Sequence, residues 1–239
     1  VGKRFWPVTL SKPLVPFLGE PLIVYNLKQL KQAGFTDIVL VANPLNLDQL
    51  KRLKITGLNI RVVIQLQSLG MADAVLTAKA LIQDKPLLIR NATDIIEPQL
   101  VSQVFHKLTA GASIIVGQKV TQYFPGGYIK LKGNQAEAII EKPTPGTEPS
   151  DLVALGIYGF QKPSEFTALL KTTASQKDDI YEQALCKLMQ THPIKVIRYQ
   201  GIWRSIKYPW HILSVMDFLL QTVKRSIHPT AQISPHAIV

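Results

Sequence analysis

The chain has 239 residues, 46% of them hydrophobic and 18% charged, so it can bury a sizeable core and is neither disordered nor a small disulfide-stapled scaffold. The 27 Lys and Arg residues exceed the 16 Asp and Glu residues, and the net charge of +11 favours anionic partners: nucleic acid, acidic membranes or phosphorylated small molecules. The longest apolar runs are strand-length, no signal peptide is recognisable, and the single cysteine, Cys186, suits a reducing compartment. We therefore expect a cytoplasmic protein with no membrane partner.

The first half of the chain alternates helical and strand patterns. Helices are predicted over 22–33, 47–53, 72–82 and 98–108, and strands over 37–42, 60–66, 86–90 and 112–118. Gly34 stops the first helix, and Asn43-Pro44 breaks the first strand. Because these strands are continuously apolar, the pattern predicts an α/β fold with a mostly parallel sheet covered by helices on both faces.

The second half interrupts this alternation. Three strands with short turns are predicted over 128–131, 136–140 and 153–160, as an antiparallel insert forming a side wall of a site. A helix over 178–189 follows, and a strand over 195–198 together with the segment around Trp203 is expected to finish the sheet.

The C-terminal tail carries a six-residue period. Ile227, Ile233 and Val239 are spaced by six, and proline and alanine recur with the same spacing. A hexad period is typical of a parallel β-helix, and two hexads are too few to be stable alone. We expect a main domain over 1–222 and the first coil of a second domain over 226–239, through which the protein forms a homo-oligomer. The alternative is a proline-rich tail whose spacing is coincidental.

The distribution of charge argues against nucleic acid as a specific partner. The densest groups of cations lie at 51–54 and 224–225, and they hold three and two residues. Helix-turn-helix, zinc-finger and RNA-binding signatures are absent from the sequence. A solvated basic surface explains most of the charge, and a nucleic-acid module is kept only as a third hypothesis.

The opening segment has the composition of a phosphate-binding loop. It starts at Gly2 and carries two cations, Arg4 and Lys12, ahead of the first helix. Backbone N–H groups and cationic side chains that converge in this way suit an anion. Two cations eight residues apart also occur in ordinary surface loops, so the segment alone leaves both interpretations open.

Seven motifs in order give the chain a specific resemblance. They are 2–23 (GKRFWPVTLSKPLVPFLGEPLI), 65–74 (QLQSLGMADA), 91–94 (NATD), 124–128 (FPGGY), 141–143 (EKP), 155–158 (LGIY) and 203–210 (WRSIKYPW). This series resembles that of the sugar-1-phosphate nucleotidyltransferases, also called NDP-sugar pyrophosphorylases. The resemblance implies a Rossmann-like, GT-A-like three-layer fold with a mixed sheet, and a left-handed β-helix is a common extension in that family.

The resemblance also implies a reaction, nucleotidyl transfer from an NTP to a sugar-1-phosphate with Mg²⁺ as cofactor, and roles for individual residues. It assigns Arg4 to the leaving pyrophosphate, Lys12 to the α-phosphate and Asp94 to Mg²⁺. It assigns Gly2, Gln65 and Gly70 to the nucleotide. It assigns Lys142 to the sugar phosphate, and Gly127 and Glu141 to the sugar hydroxyls. Without the resemblance, Asp94 could instead cap the following helix, and Glu141 and Lys142 could be an exposed turn pair.

The sequence also departs from the family pattern. Ser205 stands where the family has a second Mg²⁺ carboxylate, and Lys207 stands where it has glycine. Lys207 could place an ammonium where the metal would sit, which would replace one cation by another. The alternative to the transferase is a degenerate paralogue that binds nucleotide or NDP-sugar as a regulatory or assembly subunit, and Ser205 and Lys207 are its support. The family's apolar first strand, which would precede Gly2, is not in this sequence, and we expect the longer protein to contain it.

Overall fold

The computed structural model describes residues 3–82, 84–176, 179–223 and 229–237. Its helices are α1 Leu22–Ala33, α2 Leu47–Lys51, α3 Gly70–Ala78, α4 Pro98–Thr109, α5 Pro163–Thr172, α6 Ile180–Thr191 and α7 His211–Thr222. Its strands are β1 Pro16–Phe17, β2 Glu20–Pro21, β3 Asp37–Ala42, β4 Asn59–Ile64, β5 Leu87–Arg90, β6 Asp94–Ile96, β7 Ser113–Lys119, β8 Gly127–Lys132, β9 Gln135–Glu141, β10 Leu152–Phe160, β11 Ile194–Tyr199 and β12 Trp203–Ser205.

The α/β class and the mixed sheet are confirmed, but the expectation of mostly parallel strands is wrong. The main sheet has the order β5-β10-β7-β11-β9-β8. Among the described strands, only β3–β4 and β7–β11 pair in parallel. Strand β10 is also more than an insert, because it lies between β5 and β7 and runs antiparallel to both. A strand buried on both faces is apolar throughout in either direction, so its sequence does not report its direction.

Helices cover both faces of the sheet, as the alternation predicts. Ile114 and Val116 of β7 pack in one apolar cluster with residues of α1 and α4. Ile115, between them, points to the other face and packs with residues of α5 and α6. Because successive side chains of a strand point to opposite faces, one strand joins both cores into three layers.

Helix α1 begins and ends where the sequence predicts. Gly34 follows it with φ of 109°, and its N–H donates to the carbonyl oxygens of Leu30 and Lys31. A Cβ on Gly34 would lie 2.7 Å from the ring of Phe105. The glycine therefore both ends the helix in a left-handed conformation and lets α4 approach α1.

A cavity of about 630 Å³ separates β3 from β5. Strand β3 pairs with β4, and β5 pairs with β10, but the two pairs are not joined to each other by hydrogen bonds between the described strands. Leu27 and Leu30 of α1 and Val75 and Ala78 of α3 line the cavity.

Two sequence-based expectations differ from the structure, which also contains two helices that the sequence analysis does not predict. The Trp203 segment, β12, pairs with β6 rather than finishing the main sheet. Helices α5 and α7 were not predicted. Residues 229–237 form turns without a strand and are exposed, with Ile233 at 43%, so the β-helix is not seen there. Ile227 and Val239 of the hexad pattern lie outside the described residues.

None of the helices in the described part is long and apolar enough to span a membrane.

Candidate active site

Asp94 lies at the centre of the candidate site. Strand β5 ends at Arg90, a short turn follows, and Asp94 opens β6 directly opposite Ser205 of β12. The side chain is almost fully buried, with Asp94 4% exposed. Helix α4 starts at Pro98 and its N-cap is Glu97, so Asp94 is not a helix cap. The structure therefore brings together Asp94 and Ser205, the two positions that the resemblance relates to metal binding.

Hydrogen bonds compensate for the burial of the Asp94 carboxylate. Its Oδ2 accepts hydrogen bonds from Asn91 Nδ2 at 3.4 Å and from Trp203 Nε1 at 3.3 Å. Burial raises the pKa of Asp94, and hydrogen bonds from Ser205, Asn91 and Trp203, together with the charge of Arg90, oppose the rise. Desolvation is the largest of these effects, so an additional cation near Asp94 would favour its charged form.

Arg90 binds the backbone of Asp94, a role that the sequence analysis does not predict. Its Nη2 donates to the Asp94 backbone oxygen at 3.0 Å and to Asn26 Oδ1 at 3.1 Å. Burial lowers the pKa of Arg90 to about 10, which still leaves the guanidinium charged at neutral pH. An arginine at the end of an otherwise apolar strand, four residues before Asp94, was the available signal.

Three cations, Arg4, Lys12 and Lys207, gather near Asp94. Lys12 Nζ donates to the backbone oxygen of Lys207 at 3.1 Å. Burial lowers the pKa of Lys12, the charges of Arg4 and Lys207 lower it further, and Asp94 opposes them. Since the cations outnumber the carboxylate, this part of the site is suited to bind an anion with more than one negative charge.

Gly127, Glu141 and Lys142 form the second part of the site, on the β8–β9 hairpin. Gly127 and Glu141 are cross-strand partners, and a Cβ on Gly127 would lie 3.0 Å from Glu141 Oε2. Lys142 Nζ is 3.2 Å from Glu141 Oε1, and Lys142 adopts a φ of 44°. The charges of Glu141 and Lys142 both act on Lys207, so the hairpin faces the cations around Asp94.

Gln65 and Gly70 form a separate group at the same edge of the fold. Gln65 Nε2 donates to the Gly70 backbone oxygen at 3.1 Å and to Asp73 Oδ2 at 2.8 Å. The Gln65 backbone N–H donates to the carbonyl oxygen of Ala42 at the end of β3. Just beyond β3, Asn46 Nδ2 donates to the hydroxyl of Ser11, which precedes Lys12. Gly2, the remaining predicted site residue, lies outside the described residues.

The chain offers Mg²⁺ one carboxylate rather than a complete set of ligands. No group of three or more His, Cys, Asp or Glu side chains that could hold a metal occurs within the described residues. Asp94 and Ser205 are cross-strand partners that both carry side-chain oxygen, which is the donor type that Mg²⁺ prefers. One carboxylate is enough where substrate phosphates complete the coordination, so the residues fit an ion that binds together with a phosphorylated ligand.

Comparison with known proteins relates most of the chain to one family. A family model described as nucleotidyl transferase matches residues 1–216. The chain is 30% identical over 228 residues to a bifunctional sugar-1-phosphate nucleotidylyltransferase/acetyltransferase of Sulfurisphaera tokodaii, covering 93% of this chain and 54% of that protein. It is 28% identical over 240 residues to mannose-1-phosphate guanyltransferase 2 of Candida glabrata, covering 95% and 64%. The chain thus spans between about half and two thirds of the length of these relatives.

Solved structures share the fold at lower identity. A UDP-glucose pyrophosphorylase complexed with UDP-glucose matches with a TM-score of 0.79 at 21% identity, over 92% of this chain and 95% of that chain. A UTP-bound UGPase from Acinetobacter baumannii matches with a TM-score of 0.77 at 22% identity, over 95% and 90%. At this identity the match concerns the fold alone.

Proposed function

We propose, from the premise that this chain belongs to the nucleotidyl transferase family, that it joins a nucleoside triphosphate to a sugar-1-phosphate. A phosphate oxygen of the sugar-1-phosphate attacks the α-phosphorus of the triphosphate, a new P–O bond forms, and the α–β phosphoanhydride breaks. The products are an NDP-sugar and pyrophosphate. No covalent enzyme intermediate is needed, so the protein contributes positioning and charge neutralisation.

The observation that carries the proposal is the group of cations beside a buried carboxylate. Lys12 and Arg4 lie within electrostatic range of each other and of the Asp94 region. We assign Lys12 to the α-phosphate, where charge develops during attack, and Arg4 to the departing pyrophosphate. Fixed cations at these positions stabilise the transition state without reorganising during the reaction.

The β8–β9 hairpin would bind the second substrate. Lys142 is exposed and paired with Glu141, so it can exchange that partner for a sugar phosphate at little cost. Released from the pair, the Glu141 carboxylate can accept hydrogen bonds from sugar hydroxyls. A Cβ on Gly127 would lie 3.0 Å from Glu141 Oε2, so the absence of a side chain lets the carboxylate lie close to the backbone of β8.

Gln65 and Gly70 would bind the base. The Gln65 amide nitrogen already donates to Gly70 and Asp73, so its carbonyl oxygen is the group left to accept from a base N–H. Uracil, thymine and guanine all carry such a donor, and this group of residues therefore leaves the choice of base open.

Mg²⁺ would be held by Asp94 and by phosphate oxygens of the substrate, with the Ser205 hydroxyl beside them. When bound, it neutralises phosphate charge as a Lewis acid. Arg90 holds the Asp94 backbone in place, and Asn91 and Trp203 orient its carboxylate.

The test is a pyrophosphate-release assay over a panel of nucleoside triphosphates and sugar-1-phosphates. Wild type is expected to release pyrophosphate with at least one pair in the presence of Mg²⁺, and Asp94→Ala is expected to abolish the release while the protein stays folded. Lys54→Ala, at an exposed loop position, is the matched control. A wild type that neither binds nor turns over any member of the panel contradicts the proposal.

A second function is favoured by Ser205, which stands opposite Asp94 where a second carboxylate would strengthen a metal site. In this alternative the chain binds nucleotide or NDP-sugar without turning it over and acts as a regulatory or assembly subunit. Nucleotide binding by calorimetry with no pyrophosphate release across the panel supports this alternative over the transferase.

A further inference from the structure

We infer that Lys207 is a phosphate-binding residue. Its fixed ammonium supplies part of the positive charge that a metal ion held by two carboxylates would bring to the substrate. The inference rests on the proposed function, and it concerns a position for which the family pattern implies glycine rather than a cation.

The backbone of Lys207 is held from two sides. Its N–H donates to the Ser205 carbonyl oxygen at 3.1 Å, and its carbonyl oxygen accepts from Lys12 Nζ at 3.1 Å. Lys207 therefore lies two residues beyond Ser205, the partner of Asp94, and its position is tied to the cation that we assign to the α-phosphate.

The side chain of Lys207 is held as well. Its Nζ lies 4.4 Å from the ring centroid of Phe124, a cation–π distance. The Phe124 ring in turn lies 5.4 Å from that of Trp203, whose Nε1 donates to Asp94. Phe124 and Trp203 thus form an aromatic support between the ammonium and the carboxylate, and Lys207 is half-buried there.

The charges around Lys207 favour an anion. The cations Arg4 and Lys142 and the carboxylates of Asp94 and Glu141 all lie within electrostatic range of its ammonium. With Lys12, the group holds four cations and two carboxylates, an excess of two positive charges. A partly desolvated group with this excess is relieved by a ligand with at least two negative charges, such as a diphosphate.

The experiment measures binding of inorganic pyrophosphate by calorimetry, once in EDTA and once in Mg²⁺. Wild type is expected to bind pyrophosphate in EDTA. Lys207→Gln is expected to weaken that binding at least about tenfold, since it removes a charged hydrogen-bond donor to phosphate, and to weaken binding in Mg²⁺ less. Lys207→Arg keeps the charge and should retain most of the affinity, and Lys54→Gln is the matched control. Thermal melts establish that each variant is folded.

Equal affinity of Lys207→Gln and wild type in EDTA overturns the inference, as does a wild type that binds pyrophosphate only with Mg²⁺. Failure of the proposed function is a different result. A wild type that binds pyrophosphate through Lys207 but never releases it from any substrate pair leaves the phosphate site intact and removes the transferase activity.

Discussion

Placing a second carboxylate opposite Asp94 should make the stability of this protein depend on Mg²⁺. Ser205 and Asp94 are direct cross-strand partners, and such pairs have Cβ atoms about 4.5–5.5 Å apart. In Ser205→Asp, two carboxylates about 5 Å apart would repel by about 3 kcal/mol at an effective dielectric constant of about 20. That energy corresponds to a rise of about two units in the apparent pKa of the pair.

The sign of the pH effect follows from this rise. A carboxyl group whose pKa is higher in the folded protein than in the unfolded chain costs stability once the pH exceeds the unfolded value, and the cost is complete above the folded value. Ser205→Asp should therefore lose at most about 3 kcal/mol of unfolding free energy at neutral pH in EDTA and recover it in acid. Attraction by Arg4, Lys12 and Lys207 reduces the loss below this upper value. Lys207 offsets part of the repulsion, so Ser205→Asp/Lys207→Gly should lose more.

The assay is urea unfolding of wild type, Ser205→Asp and the neutral, similarly sized Ser205→Asn, each in EDTA and in Mg²⁺. Mg²⁺ should stabilise Ser205→Asp strongly, because a bound ion adds about 2.7 kcal/mol at one hundred times its dissociation constant. Wild type and Ser205→Asn should respond weakly. If Ser205→Asp unfolds like Ser205→Asn in both buffers, the two side chains do not share a metal-sized space, and our description of the site is wrong.

Other predictions test the remaining parts of the protein. Lys12→Ala and Lys142→Ala should each lower turnover or ligand affinity at least about tenfold, because each removes a charged hydrogen bond to phosphate in the proposed site. Pyrophosphate release and calorimetry measure the effect, with Lys54→Ala as the control, and unchanged values for both variants would refute the assignment. Gly127→Ala should cost about 1–3 kcal/mol in urea unfolding, since its Cβ would lie only 2.8 Å from Cγ2 of the buried Ile139, and an unchanged midpoint would show that the hairpin yields freely. The full-length protein should be a homo-oligomer by light scattering, and a monomer would argue against assembly through the domain expected from residue 226.

Much of the local structure follows from sequence signals that act over a few residues. Helix α1 and strand β3 have the predicted bounds because a glycine that adopts a left-handed conformation ends the helix and Asn43-Pro44 ends the strand. Asp94 was located at a strand end because polar residues follow an apolar run at that point. Signals of this kind act within a few residues, and the tertiary contacts of the folded protein favour the same local structure.

The candidate site was also identified in sequence, as positions in motifs. The structure brings Arg4, Lys12, Asp94 and the 141–142 pair into one region, as the resemblance implied. It adds what the motifs do not contain: Arg90 behind Asp94, and Phe124 beneath Lys207. These contacts join residues distant in the chain or facing each other across a turn, and residue spacing alone carries no information about them.

The sequence by itself determined where many of the helices and strands form, α1 and β3 among them, and which residue types carry charge near the site. Only the tertiary structure decided that β10 enters the sheet between β5 and β7 and that β12 pairs with β6. The physical reason is that apolar periodicity measures burial, which is the same for parallel and antiparallel neighbours, whereas strand order depends on hydrogen bonds between distant segments. The tertiary structure also decides the excess of positive charge around Asp94, because Coulomb energies depend on distances in space rather than along the chain.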